Sequence, residues 1–129
     1  MTRSRFVIGV CFIVLASATT GADQVSRLSQ VMKNKMEHSQ AILAAVVTGN
    51  WPLLVRESRA LQALTREPAW GALNTPEHVV DSDPFVRSLQ ALIQAANQRD
   101  LDAAVTAQVA LIRACVQCHK DMRSARSPR

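Results

Sequence analysis

The stretch Asp83–Asp102, DPFVRSLQALIQAANQRDLD, decides the fold class of this 129-residue chain. Asp83 reads as a helix N-cap and Pro84 as the first helical residue, where its missing N–H costs nothing. Phe85, Leu89, Leu92 and Ile93 then recur every three or four residues, the period of one helix face. The pattern runs to about Asn97. Asp100 is a second N-cap, and Asp102 adds negative charge at the positive end of the next helix dipole. Two amphipathic helices separated by a few turn residues make a helical hairpin.

Upstream, a segment from about Gln24 to Val47 places Leu28, Met32, Ser39, Leu43 and Val46 on one stripe. Gly49 and Asn50 end it, and Asn50 caps a second segment, Trp51 to Arg66, with Pro52 in its first turn and Leu54, Leu61 and Leu64 on its apolar side. The connection from Glu67 to Ser82 holds Pro68, Trp70, Gly71 and Pro76. At about sixteen residues it exceeds the usual 2–8 of a helix–helix link, so it is either a packed crossover or a functional loop. Downstream, a fourth segment runs from Asp100 to about Arg123, with Leu101, Val105 and Ile112 on its apolar side. Gly is scarce, Tyr is absent and aromatics are 4% of the chain, which disfavours a sheet. The expectation is an all-α protein, an antiparallel four-helix bundle. No internal repeat is legible in the letters.

The first 22 residues read as a targeting signal. Arg3 and Arg5 precede an apolar run from Phe6 to Ala18, too short for the roughly 20 residues that span a bilayer. Ala16–Ala18 or Thr20–Ala22 supplies a small-residue cleavage site, and Cys11 would leave with the signal. Residues 23–123 then form the domain and 124–129 a basic, frayed tail. Losing Arg3 and Arg5 lowers the formal charge from +5 to about +3. That excess is not the clustered basic footprint of a nucleic-acid binder. The reading is a periplasmic protein with no stable membrane insertion after cleavage.

Chemistry concentrates at Cys115-Val116-Gln117-Cys118-His119, the Cys-x-x-Cys-His pattern of covalent haem attachment. Two thiols must reach the two vinyl groups of one porphyrin, and an imidazole must stand under the iron. Positions i, i+3 and i+4 share a helix face, so one helix can present all three. Cys115 and Cys118 are the expected thioether residues of one haem c, and His119 the proximal iron ligand. A redox-active disulfide and a zinc site compete. The first usually opens a helix in an α/β setting, whereas this pair lies late in a helix. The second needs four ligands, and no second Cys pair exists.

Only ten residues follow His119, so a distal ligand must come from upstream. Met122 sits one turn past His119, on the proximal side. The candidates are Met32, Met36, His38 and His78. Met32 ranks first because it lies near the centre of the first helix's stripe, and Met36 second. His38 is expected to face solvent. For both methionines, plain gap-filling in the core is the alternative.

These features together resemble the cytochrome c′ and class II c-type cytochromes, exported four-helix bundles with the haem motif late in the last helix. The resemblance spans about Val25 to Arg123. It is carried by Met32-Lys33-Asn34-Lys35-Met36-Glu37-His38-Ser39-Gln40-Ala41-Ile42-Leu43 and by Cys115-Val116-Gln117-Cys118-His119-Lys120-Asp121-Met122-Arg123. It implies a basic residue beside the haem at Arg123, and many members have an aromatic where Met122 stands. One branch has a Met sixth ligand from the first helix and low-spin iron; the other is five-coordinate and binds small gases such as NO and CO. Met32 favours the first branch. The expected function is one-electron transfer with periplasmic redox partner proteins, not catalysis, with Lys33, Lys35 and Lys120 steering acidic partners. The alternative is gas binding. The resemblance also implies a homodimer through the first two helices.

Overall fold

The computed structural model describes residues 19–74 and 82–126. Every regular element among them is a helix: α1 (Thr19–Thr48), α2 (Trp51–Leu64), α3 (Pro68–Gly71), α4 (Asp83–Gln98) and α5 (Leu101–Arg126). The fold is all-α, as the hairpin stretch predicted. The expected signal lies almost wholly outside the described residues, as do His78 and Pro76. At the other end α5 continues through Arg126, past the expected start of a frayed tail at 124. The first part of the long connection is packed: α3 buries Ala69 and Trp70, and Leu73 follows them into the core, while residues 75–81 lie outside the described residues.

Two tight turns organise the chain, and they are built alike. After α1, Gly49 takes the left-handed conformation at φ 62°, and the Asn50 N–H donates to Ala45 O at 2.9 Å. After α4, Arg99 takes it at φ 54°, and the Asp100 N–H donates to Ala95 O at 3.0 Å. This is the bond pattern of a left-handed helix stop. The next residue then caps the following helix: Asn50 Oδ1 accepts from Leu53 N–H at 3.1 Å, and Asp100 Oδ1 from Ala103 N–H at 2.9 Å. At the start of α4, by contrast, Ser82 rather than Asp83 is the capping position, and its side chain makes no capping bond.

The likeness extends into the core. Burial repeats with an offset of fifty positions: Ile42 and Leu92, Ala45 and Ala95, Val46 and Ala96, Leu54 and Ala104, Glu57 and Ala107, Ser58 and Gln108, Leu61 and Leu111. The hairpin of α1 and α2 and the hairpin of α4 and α5 therefore present the same faces inward. They meet chiefly through α2 against α4, while α1 approaches α5 over a shorter stretch. The letters hide this repeat because only Ala45/Ala95 and Leu61/Leu111 share residue type, while the other pairs share depth alone.

Two apolar stripes differ from the expected ones. On α1 the inward line is Val31, Lys35, His38, Ile42, Ala45 and Val46, with Leu28, Met32 and Ser39 flanking it. Leu43 follows Ile42 by one residue, about 100° around the helix, and is 50% exposed. On α5 the inward line is Ala104, Ala107, Gln108 and Leu111, whereas Leu101, Val105 and Ile112 face outward. Small residues on the inner side let α5 approach α4 closely. They also make the bulkier outer residues look like the core side in the sequence.

Candidate functional site

The inward line of α5 continues past Leu111 to Cys115, Cys118 and Met122, at steps of four, three and four residues. All three are partly buried, and Cys115 and Met122 pack against the main core. Both cysteines are free thiols on one unbroken helix. Burial pushes the Cys115 thiol above its ordinary range, against an opposing pull from the Lys35 charge. His119 is exposed on the same turn. The sequence-predicted trio is thus presented from one stretch of helix, with Cys115 packed against the core, Cys118 partly buried and reaching the groove beside α5, and the imidazole exposed.

Within electrostatic reach of the thiols is a charge expected to face solvent. Lys35 is only 7% exposed. Its Nζ lies 4.5 Å from the centroid of Trp70 and 4.3 Å from that of Phe85, whose rings stack with centroids 5.6 Å apart. Trp70 is itself anchored, its Nε1–H donating to Ser82 Oγ at 3.1 Å. Lys35 feels the charge of both Cys115 and Cys118, and burial holds its amine below the ordinary lysine range. Among the described residues its ammonium has no hydrogen bond or ion pair. It therefore cannot serve as the exposed steering charge expected of it, although Lys33 and Lys120 are exposed. The signal for this site was in the spacing: Val31, Lys35, Ile42 and Ala45 form one face, but the charge of Lys35 argued against giving it an inward position.

The other candidates separate clearly. Met32 is partly buried and packs against the core. Met36 is 60% exposed. His38 is not the free, solvent-facing imidazole expected; its Nδ1 lies 2.7 Å from Glu57 Oε2 on α2. That contact engages it away from the cysteines. Arg123 is exposed, one turn beyond His119 on the same helix.

A groove of about 930 Å³ runs along α5, lined by Pro84, Val105, Val109, Ile112, Val116 and Cys118 among others. Within Leu101–Ala125 the helix is long and apolar enough, by length and composition only, to cross a membrane. Its inner side nevertheless packs along α4.

The donors suit a covalently held porphyrin better than a bare ion. Among the described residues no three His, Cys, Asp or Glu side chains gather around a common point. A porphyrin brings its own four nitrogens and asks the chain for two thiols and one imidazole, which α5 presents in sequence. The Lys35 amine, seated over the stacked rings of Trp70 and Phe85, is within electrostatic reach of those thiols. No family model, curated protein or solved structure matches the chain.

Proposed function

We propose that the chain is an exported monohaem c-type cytochrome, a four-helix bundle of two hairpins that carries one electron at a time. The observation behind this reading is the placement of Cys115 and Cys118 on the inward line of α5 with His119 beside them. Bound haem c would supply a reversible ferric–ferrous couple. Cys115 and Cys118 would tether it as thioethers, and His119 would hold the iron from the proximal side. The helix fixes the three groups relative to one another, which limits rearrangement when the charge on the iron changes. Trp70 and Phe85, stacked with centroids 5.6 Å apart beneath Lys35, would add an apolar surface near α1. Exposed Lys33 and Lys120 would orient an acidic redox partner in the periplasm. Arg123, on the next turn of α5, is a candidate neighbour of the haem edge.

The test is the optical spectrum of the matured, exported protein, reduced with dithionite and then exposed to CO. Sharp low-spin bands indifferent to CO support electron transfer. A Soret shift with CO favours the gas-binding reading, and the absence of a Soret band removes haem from the account.

A further inference from the structure

We propose that a second copy of this chain docks along the seam between α1 and α5, antiparallel to the first and related to it by a two-fold axis. The inference does not rest on the haem reading above.

The seam follows from how the hairpins meet. Lys35 Nζ lies 4.3 Å from the centroid of Phe85, and each residue stands fourteen positions before the left-handed residue of its own turn, Gly49 or Arg99. Both turns therefore lie at the same end of the bundle. On α1, His38 faces α2 through Glu57. Met36, Leu43 and Val47 lie about 140–180° round the helix from His38, on the side away from α2. On α5, Ala107 repeats the buried place of Glu57 and marks the side facing α4. Leu101, Val105, Val109, Ile112 and Val116 lie about 120–180° round from it. Each stripe turns away from its own hairpin partner, so both border the seam where packing is thinnest, α1 against α5.

The stripes match in depth. Val47 and Leu101 stand two residues from their turns, Leu43 and Val105 six, Met36 and Ile112 thirteen. All eight side chains are between 44% and 77% exposed. They form one continuous apolar face about 22 Å long, not the scattered single residues of an ordinary surface.

The rim selects the occupant. Asp102 borders the face at the turn end, and Lys33, Arg113 and Lys120 border it at the other. All four are exposed, and none makes an ion pair within the chain among the described residues. An antiparallel copy pairs Val109 with Ile112 and Val105 with Val116 across the two-fold axis. The same register brings Asp102 of each copy beside Lys120 of the other. A parallel copy would set like charges together. An apolar centre ringed by charges that pair with their own symmetry mates is the anatomy of a protein–protein interface.

The experiment is sedimentation velocity of the full chain over a concentration series, at low and high salt. The expected result is a monomer–dimer equilibrium that re-forms quickly on dilution and shifts toward monomer with salt, because the rim pairs are screened. Val105→Asp and Ile112→Asp should each weaken the dimer by about tenfold or more, since each puts a charge into its centre on both copies. Asp102→Lys should weaken it, and adding Lys120→Asp should restore it. Hydrogen exchange of the wild type, above and below the dissociation concentration, should show residues 36–47 and 101–116 protected only in the dimer, a readout that stands even if a variant fails to fold. Several results overturn the assignment: a monomer at every concentration, a dimer indifferent to both apolar-face substitutions, protection on the outer side of α2 instead, or a dimer that dilution reverses only slowly, as exchanged halves would. A monomer that binds phosphatidylglycerol vesicles through α5 also overturns it, and makes a membrane surface the occupant.

Discussion

His38 Nδ1 and Glu57 Oε2 lie 2.7 Å apart and join the middle of α1 to α2. Glu57 also accepts from Arg56 at 2.8 Å. The hydrogen bond from His38, helped by Arg56 and opposed by burial, lowers the Glu57 carboxyl below its ordinary value of 4.5. A carboxylate held low contributes stability above the ordinary value and loses it as pH falls through the depressed one. Glu57→Gln should therefore destabilise the chain by about 1–3 kcal/mol near neutrality. The difference should shrink in the acid range. Urea midpoints measured across that range check both statements; a pH-independent difference would refute the linkage.

Lys35→Met tests the buried ammonium over Trp70 and Phe85. In the haem-free chain it removes an ammonium whose desolvation outweighs the two ring contacts. It should raise stability by on the order of 1–3 kcal/mol. Thermal unfolding of the unmatured chain measures this, and a loss of stability would mean that the ring contacts dominate.

Replacing Cys115 or Cys118 by Ser should leave one thioether and a strained, low yield of covalent haem. The double replacement should leave none. Haem staining after denaturing electrophoresis separates the cases, because only thioether-bound haem survives it. His119→Ala should keep some covalent haem while changing the spin state, which absorption spectra detect.

Leu89 is fully buried on α4, with Leu92 one turn further on. Leu89→Ala removes apolar contact and leaves a cavity, at a cost of about 2–5 kcal/mol. By contrast Val109→Ser on the outer side of α5 should change stability by less than about 1 kcal/mol, because Val109 is 44% exposed. Denaturant titration of both variants tests the inward register of α4 and α5.

Helix positions and both tight turns were legible because they depend on local chemistry. Asn50 and Asp100 cap where their oxygen can reach a free N–H, and that requires no tertiary information. The facing of α1 and α5 was not legible. An alanine-rich inner face such as Ala104 and Ala107 is outranked in hydrophobicity by Val105 and Ile112, although close helix approach selects the small residues. Lys35 was misplaced for the same kind of reason. Its spacing fits the core, whereas its charge argues for water, and only the rings of Trp70 and Phe85 resolve the conflict. That Cys115, Cys118 and His119 ride on one helix was legible because helical spacing is a local property of α5.

The fifty-residue correspondence between the two hairpins has a consequence for how the chain can be divided. Each half closes its own turn and carries a full matching face, so covalent continuity between the halves is not what aligns them. Residues 1–74 and 82–129, produced as separate polypeptides in one cell, should find each other and co-purify as a one-to-one pair. The same property allows two intact chains to trade halves at high concentration, giving a dimer that dilution returns slowly to monomers.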